Sequence, residues 1–193
     1  MAQPVLQALL SMCSGFPSPD ENAGEKMNSK LPAMMDELYE SEDICLVRIQ
    51  GIADQAGGAS RAVRVFGAAG INLEFITESS DASGFANITA AVGQRDEDRV
   101  EELLPLIRRE TRSIKVDHQP GCLMLGVSGQ ALRGVPGVAG RLFSAFGESQ
   151  VNLLAIASSM SSLCCVVRQQ DRAKAVQVFS DVFGGFPAIS NGR

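Results

Sequence analysis

A chain of 193 residues with 45% apolar content can hold one mid-sized domain or two small ones, and it can bury a core. A formal net charge of -5 and a pI near 4.9, with no basic patch, exclude a surface built for nucleic acid or an anionic membrane. No apolar run approaches the roughly 20 residues that a membrane-spanning helix needs. Five cysteines, odd in number and mostly isolated, suit a reducing cytoplasm, and a single Tyr without any Trp leaves little aromatic surface for stacking on bases.

Residues 1–43 read as an N-terminal extension. PVLQALLSMC has no basic flank and SGFPSP is a poor cleavage site, so a signal peptide is not expected. Residues 14–30, SGFPSPDENAGEKMNSK, have the composition of a linker or a disordered arm. LPAMMDELYE (31–40) is expected to form a short helix with Leu31, Met34, Met35 and Leu38 on one side, or simply to pack on the core as a leader.

From residue 44 the pattern becomes regular. Ile44–Gln50 reads as a strand, broken by Gly57 and Gly58. Ala59, Ala62, Val63, Phe66 and Ala69 then recur at helical spacing. Gly70 ends that helix by tolerating a left-handed backbone. Ile71, Leu73 and Phe75 alternate with Asn72 and Glu74 as a half-buried strand. The turn SSDASG leads into a strand at 85–92. A helix begins at Asp96 or Asp98, with Val100, Leu103, Leu104 and Ile107 inward and Pro105 awkwardly inside it. Ser113–His118 is a further strand and completes β-α-β-β-α-β over residues 44–118.

A second unit spans 119–186. Cys122–Ser128 is a strand, and Pro136 suits the first turn of a helix. Val138, Leu142, Ala145 and Phe146 form that helix's buried stripe. Val151–Ser158 and Leu163–Val167 are strands, and Ala175, Val176, Phe179, Val182 and Phe183 line the last helix. The closing strand is weak. Either PAIS (187–190) supplies a short one, before a tail that runs from 187 to 193, or Ser113–His118 is shared between the units.

The two units repeat each other. At a shift of eighty, Gly57/Gly137, Ala59/Ala139, Arg61/Arg141, Phe66/Phe146, Gly67/Gly147, Asn72/Asn152, Leu73/Leu153 and Ile76/Ile156 are identical without a gap, which marks a duplication. Each unit is expected to be an α+β, ferredoxin-like βαββαβ sandwich, with two helices on one face of an antiparallel four-stranded sheet. Units of this size bury little surface alone, and two joined edge to edge would share a larger core.

The repeated element is strand, glycine loop, helix start. The first N–H groups of a helix lack internal partners and carry part of its macrodipole, so they can hold a carboxylate or phosphate. Glycine lets a ligand approach the backbone. Asp54, just before Gly57, could meet an ammonium, and the pair of charges would match a free amino acid. The same glycines also fit a plain tight turn.

The stretches DQAGGASRAVRVFGAAGINLEFITESS and RGVPGVAGRLFSAFGESQVNLLAIASSMSSLCCVV resemble the ACT domain, in the tandem form found at the regulatory end of aspartate kinases. The likeness lies in a Pro-Gly-type loop, Ala-Arg in the helix, Phe near its end, Gly-Ile-Asn and a following Ile-Ser/Thr strand, and it covers roughly residues 44–183. The resemblance implies a βαββαβ fold, pairing of units into eight-stranded sheets, and allosteric binding of lysine or threonine. On that basis Asp54, Gln55, Gly57, Gly58, Ala59, Asn72, Leu73 and Glu78 are the expected effector site. Val135, Gly137, Val138, Asn152 and Leu153 are weaker equivalents in the second repeat. The N–H groups of Gly57, Gly58 and Ala59 are expected around the α-carboxylate, with Asp54 on an ammonium. Glu78 stands where many threonine-responsive relatives carry Gln, which favours lysine over threonine.

The departures from the pattern favour the first unit as the site. Ala56 replaces the usual Pro of the first loop, and Gly134 and Val135 replace the Asp-x of the second. Met160 lies where some members have a polar residue. GVSGQALRGVPG lacks the lysine of a phosphate loop. His118 has no catalytic companion, and Cys164-Cys165 point to opposite sides of a strand. Asn87-Ile88-Thr89 fits a glycosylation sequon without other signs of secretion, and DEDRVEE is a solvated helix start. No cofactor, metal or catalytic residue is expected.

Three readings follow. The first is a cytoplasmic, oligomeric, amino-acid-binding regulatory chain, not an enzyme by itself, that works beside an aspartate kinase catalytic chain. The second is an assembly module that binds no ligand. The third is a part of a larger aspartate kinase, since 43 residues before the first unit are too few for a kinase domain.

Overall fold

The computed structural model describes residues 35–53, 55–133, 135–184 and 190–191. Among the described residues seven strands form one sheet. They are β1 (Glu37–Ala53), β2 (Phe75–Ser80), β3 (Phe85–Gly93), β4 (Lys115–Ser128), β5 (Ala155–Ser158), β6 (Ser162–Arg168) and β7 (Ser190–Asn191). Four α-helices among the described residues alternate with them: α1 (Gly58–Ala68), α2 (Glu97–Thr111), α3 (Val138–Glu148) and α4 (Arg172–Phe183). The strand order is β2-β3-β1-β4-β6-β5, all antiparallel, with β7 parallel to β1. The expected α+β architecture is present, written twice.

The two units share a sheet because β1 and β4 each run through both. Residues 44–53 of β1 open the first unit beside β3, and residues 115–119 of β4 close it. Residues 122–128 of β4 then open the second unit beside β6. The fourth-strand position of that unit is filled by residues 37–41 of β1, paired with Met124–Ser128. The strands expected at 113–118 and 122–128 are therefore one strand. Residues 187–189 of the expected closing strand lie outside the described residues, and Ser190 and Asn191 pair outside β1, opposite Tyr39 and Glu40.

The helix expected over 31–40 is corrected, because Glu37–Glu40 are strand. Leu31 and Met34 lie outside the described residues. Leu38 and Glu40 are buried while Glu37 is exposed and Tyr39 and Ser41 are half-buried, an alternation of period two that a local reading of LPAMMDELYE does not separate from a helical stripe. Two bulges then matter. The register shifts at Ser41/Ile44 in β1, and at the Pro120-Gly121 turn of β4 between Ile44 and Leu46. Each adds a residue to one strand and reverses its alternation, so Leu38 and Cys45 face the helices despite opposite parity.

On the helix-covered face lie two cores. Cys45, Val47, Ile49, Phe66, Ile88, Val100 and Ile107 pack under α1 and α2. Leu123, Leu125, Val127, Leu142, Phe146, Cys165 and Phe179 pack under α3 and α4. Phe179 meets Phe146 edge-on at 5.8 Å and stacks on Phe183 at 5.9 Å. The other face carries a third cluster of Ile44, Leu46, Phe75, Cys122, Met124, Cys164 and Val166. Among the described residues no helix covers it; the sheet curls so that its edge strands β2 and β5 come into contact. Cys164 and Cys165 thus serve opposite faces, as the strand period requires. Pro105 sits within an unbroken α2, and Asn87 Oδ1 accepts a hydrogen bond from the Gly51 N–H at 3.1 Å, a structural task for that side chain.

Candidate functional site

Both glycine loops turn the same way into their helices. Gly57 has φ 90° before α1 and Gly137 has φ 88° before α3, a left-handed geometry that favours glycine. In each unit the arginine shared by the repeats donates its backbone N–H to that glycine's carbonyl, Arg61 to Gly57 at 3.1 Å and Arg141 to Gly137 at 3.0 Å. Gly58 is buried, and a Cβ there would lie 3.4 Å from Ile52 Cγ2.

Arg61 also brings charge to the loop. A Cβ added at Gly57 would lie 3.7 Å from its Nη1, and one at Gly58 3.9 Å from its Nη2. The guanidinium therefore folds back over the helix start, where it adds to the partial positive charge of the first turn. A carboxylate would meet both. Arg61 was visible in the sequence as a repeat identity, but not as a member of the site; nothing in its spacing says that its side chain folds back toward Gly57 and Gly58.

The structure divides the expected residues. Gln55, Gly57, Gly58 and Ala59 form the loop and helix start, and Glu78 is exposed on the edge strand β2. Asp54 lies outside the described residues. The Gly58 N–H donates to the Gln55 carbonyl at 3.0 Å, so it closes the turn and is engaged there, not with a ligand. Asn72 does not join the loop. It follows α1, an 11-residue helix about 16 Å long, and so lies at the opposite end. Leu73 packs against the first helix-side core and Leu153 against the second; both repeat identities are core positions.

Asn72 instead borders a cleft of about 710 Å³, with Tyr39, Glu40, Glu42, Asp43, Glu74 and Arg95. Ser41 Oγ donates to Glu74 Oε2 at 2.6 Å beside it. At the start of α3 a smaller cavity of about 190 Å³ is lined by Leu132, Val135, Val138, Ala139, Leu163, Ser158, Ser159, Ser162 and Met160. It contains no charged side chain, in contrast to Arg61 and Glu78 of the first unit. Val135 and Val138 are thus brought together, Gly137 makes the turn, Gly134 lies outside the described residues, and Asn152 is exposed at the far end of α3.

Among the described residues no group of three His, Cys, Asp or Glu side chains is placed to hold a metal ion. Among the described residues no helix is long and apolar enough to cross a membrane. Burial pushes the thiols up, Cys45 and Cys164 to about 11 and Cys165 to about 12.

Residues 125–183 match the ACT domain family. The chain is 27% identical over 151 residues to the bifunctional aspartokinase/homoserine dehydrogenase 2 of Arabidopsis thaliana, covering 74% of this chain and 16% of that protein. It is 26% identical over 141 residues to an aspartokinase of Corynebacterium efficiens, covering 71% and 33%. It therefore spans a third or less of the length of these curated relatives. Among solved structures, the regulatory subunit of aspartate kinase from Thermus thermophilus shares the fold at a TM-score of 0.68 and 18% identity, over 78% of this chain and 99% of that one. Aspartate kinase from Synechocystis shares it at 0.75 and 20% identity, over 83% and 28%. With its duplicated βαββαβ units, its ACT-domain match over residues 125–183 and these likenesses, the chain resembles the regulatory part of aspartate kinases.

Proposed function

We propose that the chain is an allosteric module that binds a free amino acid and exerts feedback control on an aspartate kinase. The observation that carries this reading is the first loop, where Gly57 turns the backbone away and the Arg61 guanidinium covers the start of α1. The effector carboxylate binds against the Ala59 N–H and Arg61, and Asp54 takes the α-ammonium. Glu78 accepts a second ammonium, which makes lysine the favoured effector over threonine. The units are 44–118 and 119–186, with the closing strand of the second borrowed from residues 37–41. The partner is an aspartate kinase catalytic chain in the cytoplasm, and the module itself carries out no phosphotransfer.

Calorimetry with lysine and with threonine tests this reading. Lysine binding that weakens in Asp54→Ala supports it, and silence from both amino acids at millimolar concentration removes it. A second reading has its own support. Ile76 and Ile156, equivalent in the repeat, are 45% and 40% exposed on the edge strands β2 and β5, and exposed edges invite pairing with another chain. A module that only assembles would sediment as a dimer or larger and bind neither amino acid.

A further inference from the structure

Residues 36–42 precede the first unit in the chain but are built into the second. Leu38 is buried in the second helix-side core, and Met35 packs against it. Two polar clasps hold the segment. Glu40, 4% exposed, accepts from Arg172 at the start of α4, Nε to Oε1 at 2.6 Å and Nη2 to Oε2 at 3.0 Å. Glu42 meets the same Nε at 2.9 Å. At the other end the Asp36 N–H donates to the Ser128 carbonyl at 2.9 Å, and Asp36 Oδ2 accepts from the Gln130 N–H at 3.0 Å.

Gln130 begins the turn Gln130–Leu132, and Leu132 lines the cavity at the start of α3. Asp36 therefore fixes the first residue of the loop that walls this cavity. Residues 1–34 join the same segment directly. We propose that residues 36–42 form a strap whose seating is coupled, through Asp36, to the conformation of the turn Gln130–Leu132. Asp36 is a positioning residue, because it acts on the cavity through Gln130. Coupling of this kind is reciprocal: whatever orders the loop holds the strap down, and whatever pulls on the strap loosens the loop. The coupling stands independently of the amino-acid-binding reading above, which concerns the first loop.

Hydrogen exchange on the full chain tests it, since shared opening events appear as shared exchange behaviour. Glu40→Gln disturbs the strap at its far clasp. The expected result is faster exchange at the amides of Gln130 and Leu132, by about tenfold, the factor that accompanies loss of a charge-assisted hydrogen bond. Faster exchange confined to 38–42 would overturn the proposal. Asp36→Ala is expected to speed exchange in both the strap and the loop, while Asp36→Asn, which keeps an acceptor, restores much of the protection; no difference between the two variants would count against Asp36. Should Glu40→Gln not fold, low denaturant on the unaltered chain decides, with 37–42 and 130–132 expected to share one opening transition and separate transitions overturning it. If calorimetry finds neither amino acid bound at the first loop, the amino-acid reading falls and these exchange comparisons still judge the strap.

Discussion

Tyr39 occupies the space that a side chain at Gly126 would need. The two are directly opposite in the β1–β4 pair, and a Cβ at Gly126 would lie 2.1 Å from Tyr39 Cζ. This close approach lets the first half of β1 lie flat in the fourth-strand position of the second unit. Gly126→Ala is expected to destabilise the fold by about 1–3 kcal/mol, the usual cost of overpacking. In Tyr39→Ala the same change should cost far less, and a denaturation cycle over the four proteins measures the coupling. Equal costs in both backgrounds would show that the ring is not the obstacle.

Arg172 ties α4 to β1. Its partner carboxylate on Glu40 is 2% exposed, whereas the Arg172 side chain is 42% exposed, so solvent screening reduces the value of the pair. Arg172→Ala leaves a buried carboxylate without its cation and is expected to cost about 1–3 kcal/mol, less than the full penalty for breaking a buried pair. Urea denaturation checks this, and a loss within error would place the strap's anchor elsewhere.

Gln150 takes the role in the second unit that Gly70 has in the first. Gly70 has φ 67° and Gln150 φ 55°, just after their helices. A non-glycine residue in this conformation costs about 1–2 kcal/mol, partly offset here by Gln150 Nε2 donating to the Gly147 carbonyl at 3.1 Å. Gln150→Gly is expected to stabilise the protein by roughly 0.5–1 kcal/mol. A lower melting temperature would contradict it.

The buried thiols set a pH dependence. Cys45 and Cys164 are pushed to about 11 and Cys165 to about 12, from 9.0, by burial. Above pH 9 the unfolded thiols release protons that the folded ones retain, so the folded state binds more protons and stability falls with rising pH. The contribution is fully present below pH 9 and is lost as pH rises toward 12. Melting temperature should therefore decline across that window, and the four described cysteines should resist alkylation at pH 8 until the chain unfolds. Rapid native-state alkylation of Cys165 would contradict the burial.

Repeats and periodicity made much of the fold legible. Gly57 and Phe66 with their partners Gly137 and Phe146 marked helix starts and core positions in both units, and Gly70 marked the end of the first helix, because local backbone and packing needs dictate those residues. The first half of β1 was not legible. Glu40 sits on a buried face of a strand, which is favourable only because Arg172 arrives from 132 residues away, and no local pattern contains that partner. The bulges at Ser41/Ile44 and Pro120-Gly121 likewise reverse an alternation that is read one strand at a time. At the site, the loop glycines were found from their spacing, but Asn72 and Leu73 were grouped with them through the family resemblance. The length of α1 separates Asn72 from the loop, and packing claims Leu73.

Under the proposed function the first loop holds a free amino acid by its two charges. Calorimetric titration of lysine and of threonine into the intact chain, Asp54→Ala and Glu78→Gln puts this to the test. A charge-assisted hydrogen bond contributes roughly 1.5–3 kcal/mol. The expected result is binding to the unaltered chain, a loss of about tenfold or more in Asp54→Ala, and a larger loss for lysine than for threonine in Glu78→Gln. Binding that is indifferent to Asp54, or no binding of either amino acid at millimolar concentration, would contradict it.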